Sequence, residues 1–230
     1  MLTPLPEDWE RALGIVAHPD DMEYGAASAV ARWTAHGKTV GYVLVTRGEA
    51  GIDTLPPDEC GRVREAEERA SAAVVGVSSV EFLGHHDGVI EYGVPLRHDI
   101  TAAIRRHRPE VIVTLNHRDT WGGRSLNMAD HRNTGLAVLD AVRDAGNRWV
   151  FPDAGEPWSG VRMVCMSGSP EPTHAVDTTD TFERGVASLR EHRTYLDYIG
   201  GGTDFLGEWA TRAGKDFGTK YATTFEVYEF

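Results

Sequence analysis

The chain has 230 residues, of which 41% are hydrophobic, 9% aromatic and 25% charged, the composition of an ordinary globular protein long enough to bury one sizeable core. Its 23 basic and 35 acidic residues give a formal charge of -12, which repels a phosphate backbone and argues against a nucleic-acid partner. No stretch approaches the roughly 18 apolar residues of a membrane-spanning helix, and the first residues lack the charged-then-apolar order of a signal peptide. Cys60 and Cys165, without CxxC spacing, read as reduced thiols. The expectation is a cytoplasmic protein with one domain over residues 1–230 and no membrane span; the sequence leaves homo-oligomer formation open.

Leu13 to Ala17 is continuously apolar and ends at His18-Pro19, which suits a buried parallel strand. Pro19 with Asp20, Asp21 and Glu23 fits the first turn of a helix that runs to about His36, closed by Gly37. Thr39 to Thr46 is rich in β-branched residues and reads as a second buried strand. The pattern then repeats: a helix from Gly61 to Val75, a strand at Val80 to Leu83, a helix from Leu96 to Arg106 and a strand at Val111 to Leu115. A polar segment from Asn116 to Asp130 precedes a helix from Arg132 to Ala145 and a strand at Val161 to Met166. A helix from Thr181 to Ile199, a break at Gly200-Gly201-Gly202 and an alternating stretch from Thr223 to Phe230 complete the chain. Such alternation predicts an α/β fold, Rossmann-like, with a mostly parallel sheet and helices on both faces. No G-x-G-x-x-G follows the first strand, so dinucleotide binding is not supported.

In an open α/β sheet, ligands bind at the carboxyl ends of the strands, which is where His18-Pro19-Asp20-Asp21 falls. His18 and Asp21 can converge across a strand-to-helix turn and are ligand types that zinc accepts. Asp20, between them, sits where a general base belongs. His131, in Ala129-Asp130-His131-Arg132-Asn133, is the best candidate for a third ligand. Three protein ligands leave a coordination position for water, as in a catalytic zinc site; two distant cysteines cannot build a structural one. A capped turn, with Pro and acids at a helix start, accounts for the first spacing equally well.

The run Ala17-His18-Pro19-Asp20-Asp21-Met22-Glu23 after the first strand resembles the signature of the LmbE-like or PIG-L family of zinc-dependent N-acetylglucosaminyl deacetylases, which includes enzymes of mycothiol and bacillithiol synthesis. Thr46 to Gly51, Arg64 with Glu67, Phe82-Leu83-Gly84 with Asp87-Gly88, Pro109 to Thr114, Asp130-His131, and Tyr221-Ala222 with Phe225 resemble further family motifs in the same order. By this resemblance His18, Asp21 and His131 are metal ligands and Asp20 the general base. Arg64 and Asp87 would face substrate, as would His192, which matches the histidine of a His-x-x-Gln pattern with Tyr195 in place of Gln. Asp130 is expected to orient His131 from behind. The implied cofactor is Zn2+, although His and carboxylate ligands also suit Fe2+ or another divalent ion.

The chain departs from the family at Met128, where many members place a histidine that helps stabilise the oxyanion. A thioether cannot donate, and losing one such donor costs about 10²- to 10³-fold in rate. His117, Arg124 and Asn127 are the candidates to replace it. Trp121-Gly122-Gly123-Arg124 looks inserted near the site, and Ala27-Ser28 stand where relatives often have two glycines. One of His85 and His86 is expected to line the pocket, Glu65, Glu67 and Glu68 to form mostly a solvated helix face, and Trp121, Trp158 and Trp209 to pack.

The reading is a metal-dependent hydrolase that removes the acetyl group from an N-acetylglucosamine-type sugar or sugar conjugate. Its rivals are an amidase acting on a larger thiol-sugar conjugate and a non-catalytic sugar-binding module on the same fold.

Overall fold

The structure, a computed structural model, describes residues 2–230. In chain order its elements are β1 (Thr3–Pro4), β2 (Arg11–Val16), α1 (Asp21–Gly25), α2 (Ala27–Ala35), β3 (Thr39–Leu44), α3 (Pro57–Val74), β4 (Ser79–Phe82), α4 (Val94–His107) and β5 (Val111–Leu115). A hairpin of β6 (Thr120–Gly122) and β7 (Ser125–Leu126) follows, then α5 (Ala129–Gly146), β8 (Met163–Ser167), β9 (His174–Asp177), α6 (Phe182–Leu189), α7 (Arg193–Ile199), α8 (Asp204–Phe217) and β10 (Ala222–Glu229).

Eight strands form one sheet in the order β1-β9-β10-β8-β5-β2-β3-β4. β8, β5, β2, β3 and β4 are parallel, and β10 inserts antiparallel to both β8 and β9. Parallel neighbours demand crossovers, which are right-handed and set the helices on both faces. α4 packs on α5, while α2 and α3 pack on α6. From β2 the chain winds outward through β3 to β4, then returns to β5 on the other side of β2. That reversal opens a crevice at the carboxyl ends of β2 and β5, the place where α/β sheets bind ligands. Both strands are apolar along their length because both faces are covered: Ile15, Val111, Ile112 and Val113 are fully buried.

The predicted α/β architecture is observed, with differences at particular places. The first helix is broken at Ala26, whose φ of -150° interrupts α1 and lets α2 turn against α6. There Gly185 abuts Ser28, and a Cβ on it would overlap the Ser28 backbone. The helix expected over Thr181 to Ile199 breaks at His192, which leaves helical geometry at ψ 53° and places its ring inside the protein. α5 begins at Ala129, so Asp130 and His131 lie in its first turn and not ahead of it. β1, β9, the β6–β7 hairpin and α8 were not anticipated.

Candidate active site

His18 follows β2, Asp20 and Asp21 start α1, and His131 lies in the first turn of α5, just beyond the end of β5. His18 Nδ1 is 3.2 Å from His131 Nε2 and 3.6 Å from Asp21 Oδ2, and His131 Nε2 is 3.2 Å from Asp21 Oδ1. Four-coordinate zinc, with bonds near 2.0–2.1 Å, sets its ligand atoms about 3.3 Å apart. The donor set and its spacing therefore fit a divalent cation, and two imidazole nitrogens facing each other beside a carboxylate are otherwise poorly satisfied. All three side chains are buried.

The other nitrogen of His18 is held from behind. Nε2 lies 3.0 Å from Asp87 Oδ1 and 3.2 Å from Asp130 Oδ2, an arrangement that keeps the proton on Nε2 and leaves Nδ1 free to coordinate. Asp130 also accepts the amide hydrogens of Gly88 at 2.7 Å and Ile90 at 3.1 Å. Asp87 Oδ2 accepts that of Ala50 at 2.8 Å, and Glu49 Oε1 accepts that of Asp87 at 3.0 Å. The segment Thr46 to Gly51 thus braces the ligand shell through Asp87. Burial disfavours a charged His18 imidazole, but Asp130, Asp87 and Asp21 outweigh it and raise its pKa, so with no cation in the site Nδ1 holds a proton that a bound cation would displace. The same negative field draws a cation.

Asp20 is buried beside this cluster, with Arg64 Nη2 3.3 Å from its Oδ2. Burial, opposed by the Arg64 charge and reinforced by Asp21, raises its pKa to about 6. Asp21 is held below the usual carboxylate range: burial pushes it up, but His131 and His18 more than reverse that. Two adjacent carboxylates are therefore driven apart, one ionised throughout and the other poised near neutrality, the pattern of an acid–base site.

These placements bear on the expectations for Asp130, Asp87, Arg64, His192 and Glu68. Asp130 was expected to orient His131; it grips His18, and His131 Nδ1 has no hydrogen-bond partner. Asp87, expected to face substrate, also supports His18. Arg64 and His192, expected to face substrate too, are 2% and 0% exposed. The Arg64 guanidinium donates to Pro19 O at 2.5 Å and Gly48 O at 3.2 Å, under the Tyr195 ring at 4.2 Å. Gly48, at φ 66°, leaves room for it, since a Cβ there would strike the guanidinium. His192 stands between Glu23 and Glu68, 3.6 Å from each. Glu68 is fully buried, so the solvated-face reading fails for it; the i, i+4 spacing from Arg64 was the missed signal.

Asp21 and His131 open onto a cavity of about 980 Å³, walled by Tyr24, Trp121, Ser167 to Pro170, Leu206 and Trp209. Trp121, on the β6–β7 hairpin, stands edge-on to His131 at 5.4 Å. Trp209, on α8, is 58% exposed; Trp158 packs, donating to Pro109 O at 2.7 Å. Met128 is exposed and caps α5. None of the three candidates to replace it lines this cavity. His117 faces Met166 Sδ at 3.0 Å, Asn127 donates to Asn116 O and Arg118 O, and Arg124 is exposed. Neither His85 nor His86 lines the cavity: His85 pairs with Asp99 at 3.0 Å and His86 is exposed.

The sequence pattern of the PIG-L family, GlcNAc-PI de-N-acetylase, matches residues 13–142. That is more than half of the chain and contains His18, Asp20, Asp21, Arg64, Asp87, Asp130 and His131, so the chain belongs to this family. It is 28% identical over 193 residues to a diacetylchitobiose deacetylase of Thermococcus kodakarensis, covering 81% of this chain and 70% of the relative. It is 29% identical over 208 residues to a 1D-myo-inositol 2-acetamido-2-deoxy-alpha-D-glucopyranoside deacetylase of Thermobispora bispora, covering 78% of this chain but 63% of that relative. Among solved structures, the N,N'-diacetylchitobiose deacetylase of Pyrococcus horikoshii superposes with a TM-score of 0.88 at 25% identity, over 97% of this chain and 85% of that one. The class of reaction these similarities support is metal-dependent sugar N-deacetylation.

Proposed function

We propose that this protein hydrolyses the acetamide of an N-acetylglucosamine-type sugar, with Zn2+ as the resident ion on His18, Asp21 and His131. The convergence of those three donor groups beside a buried Asp20, with Asp21 and His131 on the wall of an open cavity, is the observation that carries the reading. When bound, such an ion polarises the amide carbonyl and makes water acidic enough to attack near neutral pH. Asp20 accepts the proton of the attacking water and returns it to the departing amine, for which its raised pKa suits it. Arg64 keeps the Asp20 carboxylate in place, and Asp87 with Asp130 fixes the His18 ring. Tyr24 supplies the donor that Met128 cannot: it lines the cavity, and burial together with the Asp20 charge holds its phenol protonated.

The cavity volume lies at the upper end of the roughly 300–1,000 Å³ of small-molecule sites, so it admits more than one sugar ring. That favours a glycoside or conjugate over free N-acetylglucosamine and keeps the amidase reading for a larger thiol-sugar conjugate as the second one. A buried base beside the ligand cluster is of no use to a pure binding module. Cys60 and Cys165 are buried free thiols, which fits a cytoplasmic location. Among the described residues no helix is long and apolar enough to cross a membrane.

The test is acetate release from a panel of N-acetylglucosamine glycosides and larger acyl conjugates, before chelation, after chelation and after zinc return. Release that disappears and returns with metal is expected. Absence of turnover on the whole panel, from protein holding one ion per chain, would sink the deacetylase assignment.

A further inference from the structure

The backbone of Asp20 is strained: its φ of 97° and ψ of -20° lie in the left-handed region that side-chain-bearing residues avoid. Such a conformation persists where the surroundings hold it, and here both polar groups of the Pro19–Asp20 peptide are gripped from α3. Arg64 donates to Pro19 O at 2.5 Å, and Glu68 Oε2 accepts the Asp20 N–H at 3.2 Å. The two are four residues apart, so they project from one face of the helix. Behind Glu68, the His192 ring lies 3.6 Å from Glu68 Oε2 and 3.6 Å from Glu23 Oε2, an imidazole between two carboxylates. Ser71 ties Glu23 down by donating to its Oε1 at 2.6 Å. Glu68 and His192 are both 0% exposed, so neither touches substrate directly.

We propose that Glu68 is a positioning residue: with Arg64 it clamps the Pro19–Asp20 peptide and holds Asp20 in its left-handed conformation, with the His192 ring packed behind it. This rests on Asp20 being the general base. An aspartate free to relax at φ moves its carboxylate away from the attacking water, and a misplacement of about 1 Å costs about 10²-fold in rate.

The experiment compares Glu68→Ala and the near-isosteric Glu68→Gln, each also combined with Asp20→Asn, in metal-loaded protein releasing acetate. Glu68→Ala is expected to lower kcat by about 10- to 100-fold, with KM and metal content unchanged. Glu68→Gln, whose amide oxygen still accepts the Asp20 N–H, restores most of it. On the Asp20→Asn background the Glu68→Ala loss disappears, because both act through one group. Parental kcat in Glu68→Ala, or a loss that adds fully to that of Asp20→Asn, overturns the clamp. So does a second metal ion per chain that Glu68→Gln removes, since Glu23, Glu68 and His192 would then be ligands. If the parent releases no acetate, the general-base reading falls, and the clamp is judged on hydrogen exchange at the Asp20 amide. Slow exchange in the parent and fast exchange in Glu68→Ala supports it; equal rates overturn it.

Discussion

Residues 13–142 and residues 147–230 contribute different things to the same crevice. The first region supplies the proposed ligands and base and the carboxylates behind them, all at the ends of parallel strands whose register is fixed by burial on both faces. The second supplies the far wall: Ser167 to Pro170 at the end of β8, and Leu206 and Trp209 on α8. Polar atoms of the first are mostly tied to one another, whereas the wall mixes Pro170, Leu206 and Trp209 with Ser169 and Arg212 and is partly exposed. The difference separates rate from reach, since chemistry needs groups held within fractions of an ångström and a wall needs only a shape. His192 crosses the division, reaching from the second region to within 3.6 Å of Glu68, whose carboxylate accepts the Asp20 N–H in the first.

Variants that touch only one region test this separation. The largest effect is expected from Asp20→Asn: a loss of about 10²- to 10⁴-fold in kcat with metal content unchanged, read by acetate release alongside metal analysis. The pH profile sharpens it. Burial raises Asp20 to about 6, so the carboxylate is protonated and idle below that pH and active above it. Therefore kcat/KM should fall with unit slope on the acid side of about pH 6 and lose that limb in Asp20→Asn. An unchanged limb in the variant would assign it to another group. Asp87→Asn comes next: it weakens one of two carboxylate supports of His18 and should reduce metal affinity by about 10- to 100-fold, measured by chelator competition. If it altered KM for sugar and left metal affinity alone, Asp87 would belong to the substrate after all.

The first region was legible because its signals are local. β2, β3 and β5 are apolar runs, and His18, Asp20 and Asp21 lie within one turn. Roles that depend on distant partners were not legible: no spacing shows that Asp130 reaches His18 and not His131, or that α6 ends so that His192 turns inward. Glu68 looked like one of several helix-surface acids because its partner is a backbone N–H 48 residues away. β1 and the β6–β7 hairpin have strands of two or three residues, too short to show a period. α8 did leave a trace in Phe205, Leu206, Trp209, Ala210 and Ala213, spaced for one helical face and closed by Gly218. The three preceding glycines and its scattered charges masked it.

The smallest expected effect separates the regions most cleanly. Trp209 stacks at a tilt on Phe205, 4.9 Å between ring centres, and Phe205 in turn stacks on Tyr24 at 5.7 Å, so an aromatic ladder runs from the exposed lip of the cavity towards the base. An apolar face at its outer end can cover a second ring of the substrate while leaving the acetamide untouched. An aromatic contact of this kind is worth about 0.5–1.5 kcal/mol, so Trp209→Ala should raise KM by about 2- to 10-fold for a disaccharide or aryl glycoside. Steady-state kinetics with free N-acetylglucosamine should show no change in either parameter, and kcat should hold for both substrates. A fall in kcat on the monosaccharide would mean that the wall also positions the base through Tyr24, and the division between rate and reach would fail at that ring.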